Sequence, residues 1–188
     1  MTFLEPQWDS IFSSFIFSFV LPSEIQDQIM SECVSLRQTG LRGVKKSNLG
    51  GWQSDFIEDR GPGITYLIDS ATAFAREVVT PNRNLESLAY KILSLWVNFN
   101  SASDFNEPHT HGDTKITGVY YVRVPQGAGE LCLIRPDHNP IFPSEDTTLR
   151  LVPQQGRVYL FPGHLIHYVL AGDKSQTEQR VSIAFNMV

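Results

Sequence analysis

Three histidines, His109, His111 and His167, are the side chains of this 188-residue chain whose type and spacing could gather a metal ion. Residues at i and i+2 project from one face of a strand, so the imidazoles of His109-Thr110-His111 can converge on one point. Alone, the pair reads equally well as two exposed loop residues, with His167 a satisfied core histidine. What gives it weight is the order of the parts that follow. A facial set of metal donors takes two from one strand and a third from a strand folded over it, leaving positions open for substrate and oxygen. Downstream come Thr117-Gly118-Val119-Tyr120-Tyr121, a segment 156–162 closing on Phe161-Pro162, then His167, and last Arg180-Val181-Ser182. Arg180 offers a planar fork for a carboxylate, and Ser182 and Tyr121 carry hydroxyls that add hydrogen bonds. These residues suit a metal ion with a dicarboxylate co-substrate beside it.

Strands must position them, and the pattern from residue 89 onward supplies strands. Apolar runs at 92–100, 116–124, 130–135, 148–152, 157–161, 167–170 and 180–187 are separated by Pro- and Gly-containing turns. In residues 180–187 the odd positions, Val181, Ile183, Phe185 and Met187, are large and apolar; the even positions are Arg, Ser, Ala and Asn. Side chains alternate across a strand, so one face packs under helices and the other lines a polar, roomy space. Residues 96–100 alternate likewise, with Asn98 and Asn100 on one side. A polar row is costly in a packed core unless satisfied, so two such rows point to a cavity.

The N-terminal half carries the helical spacing. Ile25, Ile29, Cys33 and Leu36 follow Pro22-Ser23-Glu24, and the pattern ends near Gly40. A second helix is predicted over about 64–79, stopped by Pro81. Residues 47–54, between the two, have no periodicity; their Gly50-Gly51 pair reads as a turn, with Trp52 either a core anchor or a wall of a substrate pocket. Lys45-Lys46 reads as two loop charges, His138 as solvated, and His164 as exposed or substrate-facing rather than a ligand. The expected architecture is mostly β with helices (α+β). The strand spacing suggests a β-sandwich or a jelly roll, the latter as a double-stranded β-helix, with N-terminal helices on one sheet. One domain spans 1–188, the helical part about 1–90 and the jelly-roll core about 90–188.

Bulk properties narrow the function. A net charge of −5 disfavours duplex nucleic acid bound through a broad basic field. Cys33 and Cys132 have no metal-type spacing and read as buried reduced thiols, which fits a cytoplasmic protein. The apolar run 11–21 is too short to span a bilayer and lacks a basic lead-in, and its Phe/Ser alternation fits a strand that could pair with a neighbouring copy.

Taken together, the motifs resemble the 2-oxoglutarate/Fe(II)-dependent oxygenases, the broad group that includes the prolyl hydroxylases. The nearest resemblance is to a small bacterial and phage-associated branch. It rests on Ser-Asn-Leu-Gly-Gly-Trp-Gln-Ser at 47–54, Trp-Val-Asn at 96–98, His-Thr-His at 109–111 and Thr-Gly-Val-Tyr-Tyr at 117–121. Phe-Pro at 161–162 before His167, and Arg-Val-Ser-Ile-Ala-Phe-Asn at 180–186, complete it. The resemblance covers roughly residues 45–188. It implies Fe(II) held by His109, His111 and His167, and 2-oxoglutarate held at C5 by Arg180 with Ser182 and Tyr121. Asn98 and Asn100 would lie towards the C1 end. The wider family has a carboxylate as its second ligand, where this chain has His111. Either three neutral histidines bind the iron, or His111 and Asp113 form a shifted H-x-D pair. The implied activity is an oxygen-dependent hydroxylase acting on a small molecule or peptidyl side chain. The rivals are a non-catalytic metal-binding jelly roll and a cupin-type dioxygenase with no co-substrate.

Overall fold

The computed structural model describes residues 14–40, 42–82, 90–136 and 147–188; His138 lies outside them. Two antiparallel sheets carry the fold. One has six strands in the order β1 (Phe17–Val20), β9 (Arg157–Pro162), β6 (Ile116–Arg123), β11 (Arg180–Met187), β4 (Ile92–Asn100) and β3 (Trp52–Gln53). The other has five: β2 (Asn48–Leu49), β5 (Phe105–His109), β10 (His167–Val169), β7 (Leu131–Ile134) and β8 (Thr148–Leu151). This is a jelly roll, with helices α1 (Gln26–Thr39) and α2 (Pro62–Phe74) on the outer face of the six-stranded sheet.

The alternation in β11 separates two environments. Val181, Ile183, Phe185 and Met187 are buried in the main core with Ile29 and Cys33 of α1 and Ile64, Leu67 and Ala71 of α2. Burying each large apolar side chain stabilises the fold by about 1.5–3 kcal/mol. Gly118 on β6 makes room for this layer: a Cβ there would lie 2.2 Å from the Phe185 ring. The opposite face of β11 turns towards the second sheet. A smaller core of Leu131, Leu133, Phe161 and Leu165 closes the space between the sheets on one side.

The two helices are tied by a carboxylate. Glu32 of α1 accepts the backbone N–H groups of Gly63 (2.7 Å) and Ile64 (2.8 Å), capping the first turn of α2. Pro81 does not stop the second helix, contrary to the sequence expectation. After Phe74 the chain continues through a π-helical turn, Ala75–Val79, into a short helical turn, Thr80–Asn82, that contains Pro81. The widened turn rehouses the preceding carbonyls, with the Thr80 N–H and its hydroxyl both donating to the Ala75 carbonyl. Among the described residues, no helix is long and apolar enough to cross a membrane. Cys33 and Cys132 are buried free thiols.

Residues 47–54, with no period to read, bridge the two sheets. β2 pairs with β5 in the five-stranded sheet and β3 pairs with β4 in the six-stranded one. Gly50 (φ 74°) and Gly51 (φ 62°) make the step between them. A Cβ on Gly50 would meet the Asp104 carboxylate at 2.1 Å, and one on Gly51 the Phe99 carbonyl oxygen at 2.8 Å, so both positions require glycine.

Candidate metal centre and cavity

β5 and β10 lie side by side with His109 directly opposite His167. β5 ends at His109, so His111 lies outside the strand that the two were expected to share. His111 stands just beyond, held by its N–H donating to the Gly163 carbonyl at 2.9 Å. The ligand atoms of the three histidines all lie within 4.8 Å of one another. Nε2 of His111 is 3.1 Å from Nε2 of His167. Two nitrogens bound at about 2.1 Å and at right angles on one ion would be roughly 3 Å apart, so this donor set fits a transition-metal ion. Asp113 is exposed, in the turn after His111, and is not part of the cluster.

Two of the rings are oriented by carbonyls of their own segments. Nδ1–H of His109 donates to the Glu107 carbonyl at 2.6 Å, and Nδ1–H of His167 to the Leu165 carbonyl at 2.8 Å. A proton fixed on Nδ1 leaves the Nε2 lone pair free to ligate. Burial disfavours the charged imidazolium at all three. It is the first cause of the fall to about 3 at His111, where His167 and His109 add repulsion, and of the fall to about 4 at His167. His109 is lowered for the same first reason. All three are therefore neutral near pH 7, the form that binds a metal. Trp96 packs beside His111, its ring centroid 5.6 Å from the imidazole and tilted by 32°.

The histidines open into a cavity of about 330 Å³ between the sheets. The even positions of β11, Arg180, Ser182, Ala184 and Asn186, line one wall, joined by Asn98 and Asn100 of β4 and Tyr121 of β6. Val119, Leu131, Phe161 and Val169 supply apolar wall. At the end away from Asn186 sits Arg180, 4% exposed, with Nη1–H donating to the Gly129 carbonyl at 2.9 Å. Its Nε has no partner, and among the described residues no carboxylate forms an ion pair with it. Burial depresses the guanidinium's affinity for its proton, yet Arg remains charged in proteins. The Asp104 carboxylate acts on it only from beyond ion-pair reach, and a buried cation with no ion pair calls for an anionic ligand.

The cavity thus gathers every residue that the sequence analysis placed in the site, with one rearrangement. Asn100 is the cross-strand partner of Arg180, and Asn98 that of Ser182. Both asparagines therefore belong to the arginine half of the wall. Three further polar residues stand near the histidines instead. Asn186, Ser94 and Thr117 are linked side by side across β11, β4 and β6, and the Asn186 amide reaches His111 Nδ1 at 3.3 Å. Sequence reasoning placed Asn186 on the inward row without a role and gave none to Ser94, Thr117 or Ser47, whose hydroxyl is 3.4 Å from His109 Nε2. Lys46, read as a plain loop charge, lines the cavity. Trp52 does not: its indole N–H donates to the Gly40 carbonyl at 2.8 Å and its ring meets Phe99 on the helix side. His164 is exposed.

Residues 94–186 match the family model described as "Putative 2OG-Fe(II) oxygenase". No curated protein sequence matches the chain. Among solved structures, a prolyl-4-hydroxylase from Pseudomonas putida superposes with a TM-score of 0.65 at 14% identity, over 92% of this chain and 91% of that one. A prolyl hydroxylase from Trichoplax adhaerens, in complex with a hypoxia inducible factor peptide fragment, gives 0.62 at 19% identity, covering 93% and 82%. HygX from Streptomyces hygroscopicus, with nickel, 2-oxoglutarate and hygromycin B bound, gives 0.62 at 15%, covering 93% and 82%. At these identities the likeness is one of fold. Fold, motif order and family match together make the chain a member of the 2-oxoglutarate/Fe(II)-dependent oxygenase superfamily. It is accordingly an enzyme of the dioxygenase type.

Proposed function

We propose that His109, His111 and His167 hold the Fe(II) of this oxygenase and that Arg180 holds the far carboxylate of 2-oxoglutarate. The observation that carries the reading is the pairing, within one cavity, of a three-imidazole cluster and a buried guanidinium with an unpartnered Nε. Ser182 and Tyr121, cross-strand partners beside Arg180, add hydroxyls at the same carboxylate. Asn100 shares that end, and Asn98 lines the stretch leading away from it. With Fe(II) and 2-oxoglutarate bound, O2 is consumed, the 2-oxo acid loses CO2 to become succinate, and a substrate C–H becomes C–OH.

The chain's own contribution is orientation and exclusion. The carbonyls of Glu107 and Leu165 fix two imidazoles with Nε2 towards the shared point. Arg180 anchors a dicarboxylate at a set reach from that point, and the apolar wall of Val119, Leu131 and Phe161 keeps water from the space between. Three neutral ligands leave the whole charge of the ion to attract the anionic co-substrate. We take the substrate to be a small molecule or a peptidyl side chain entering past Lys46 and Phe56, which line the same cavity. Duplex nucleic acid remains disfavoured by the net charge of −5. The two buried thiols suit the cytoplasm.

The test uses the full chain with Mn(II). Adding 2-oxoglutarate at 100 times its Kd should stabilise the folded form by about 2.7 kcal/mol, seen as a rise in Tm that Arg180→Ala abolishes. Succinate should form only when Fe(II) is present. If 2-oxoglutarate raises the Tm of wild type and Arg180→Ala equally, the assignment of Arg180 fails.

A further inference from the structure

His109 and His167 each lean on a carbonyl two residues back in their own segment; His111 has no such carbonyl. The group that meets its Nδ1 comes from 75 positions away, the side-chain amide of Asn186, whose nitrogen stands at 3.3 Å and whose oxygen faces Thr117. Asn186 is 7% exposed and sits on the inward face of β11. Its register neighbours on the two flanking strands are Ser94 and Thr117. Their hydroxyls clasp the two ends of the amide, Ser94 Oγ at 2.9 Å and Thr117 Oγ1 at 3.0 Å. The remaining direction is towards His111.

We propose that Asn186 is the positioning residue of His111: its amide oxygen accepts the Nδ1–H and so reserves Nε2 for the metal. The inference rests on the three-histidine site proposed above and assigns a residue to hold its unusual member. Its logic is that of hydrogen-bond accounting. A neutral imidazole that ligates through Nε2 must carry its proton on Nδ1, and that proton needs an acceptor. Amide oxygen and nitrogen are nearly equal in size and exchange places by a half-turn of the side chain. The half-turn keeps both hydroxyl contacts, because a hydroxyl can both donate and accept. With the oxygen towards His111 and Ser94, Ser94 donates to that oxygen and the amide N–H donates to Thr117 Oγ1. The two hydroxyls hold the amide in place in either sense, and the ligated imidazole selects the sense.

The arrangement also accounts for the residue type at position 186. Leu or Val would fill the space and leave Nδ1–H buried without a partner. A carboxylate would accept the same proton and make the imidazole a stronger donor to the metal, as outer carboxylates do for ligating histidines.

The experiment measures Co(II) affinity of the full chain by competition with a chelator for wild type, Asn186→Leu and Asn186→Asp, alongside the His-ring ¹H–¹⁵N spectrum of the Zn(II)-loaded proteins. Asn186→Leu should bind Co(II) about 10–100-fold more weakly, the range found when outer partners of metal-bound histidines are removed. Asn186→Asp should restore wild-type affinity or exceed it. In the Zn(II) spectra His111 should show a slowly exchanging Nδ1–H in wild type and Asn186→Asp. Unchanged affinity in Asn186→Leu overturns the proposal, as does an Asn186→Asp variant as weak as Asn186→Leu. Should Asn186→Leu fail to fold, the wild-type spectrum still decides, since a His111 proton on Nε2 or a ligating Nδ1 overturns it. If wild type binds neither Co(II) nor Zn(II), the metal site itself falls, an outcome distinct from the others.

Discussion

The two ends of the cavity are built on opposite electrostatic plans. At the histidine end the groups are neutral, and each Nδ1 has a hydrogen-bonding neighbour. At the arginine end a permanent charge is buried on a single backbone carbonyl, with one nitrogen unpartnered. A neutral cluster costs little to bury and gains its charge only when a cation arrives. A buried guanidinium is costly until an anion arrives. The first end is therefore preorganised at small expense to the fold, while the second stores a demand that an anion would meet. The same six-stranded sheet supplies the contrast, because β11 carries Arg180 at one end of its inward row and Asn186 at the other.

Breaking the histidine end should have the largest effect. His167→Ala, which removes the most buried of the three rings, should weaken Co(II) binding beyond the roughly 100-fold loss typical of outer partners, measured by chelator competition. Retained affinity would move the metal elsewhere. Breaking the arginine end should separate the two ligands. Arg180→Met should leave Co(II) affinity unchanged and weaken 2-oxoglutarate binding by about 2–5 kcal/mol, roughly 30- to several-thousand-fold, by calorimetry on the Mn(II) form. Without ligand its Tm should equal or exceed that of wild type, since a buried charge with no ion pair has been removed. A large drop would show that the guanidinium stabilises the fold after all.

Cys33 provides a buried group outside both ends. Burial, with the Glu32 carboxylate adding repulsion, pushes its thiol up from 9.0 to about 12. The native state thus holds this proton more tightly than the unfolded chain. The stabilisation it carries is complete below pH 9 and is lost as pH rises towards 12. Iodoacetamide at pH 9 should leave Cys33 unmodified in the native protein and alkylate it in urea. The smallest effect is expected at Asp113, which belongs to neither end. Asp113→Ala should change Co(II) affinity by less than about twofold and stability by less than about 0.5 kcal/mol; a collapse of metal binding would restore the shifted H-x-D pair.

Legibility in the sequence followed the length scale of the cause. Side-chain alternation has a period of two, so the inward row of β11 and its apolar reverse could be read from 180–187 alone. Strands β4 and β11 have the bounds expected of them, and the helix ending near Gly40 does so at Thr39. Residues 47–54 could not be read, because β2 and β3 are two residues long and owe their pairing to strands in different sheets. Strand β5 was legible only at its end, from the H-x-H pair: Asn106, Glu107 and Pro108 do not look like a strand, and pairing with β10 and β2 makes them one. Which end of the cavity each asparagine serves is a matter of register. Asn100 falls opposite Arg180 and Ser94 opposite Asn186, and no local pattern encodes which residues of distant strands meet.

The indole of Trp96, set against His111, gives the proposed metal site a built-in optical reporter. An open-shell ion bound by the three histidines would sit close enough to Trp96 to quench its emission. Trp52, held against Phe99 on the helix side of the same sheet, would keep much of its own. Loading of the site by Co(II) or Cu(II) could then be followed by fluorescence in the unlabelled protein, with Trp96→Phe identifying the responding tryptophan.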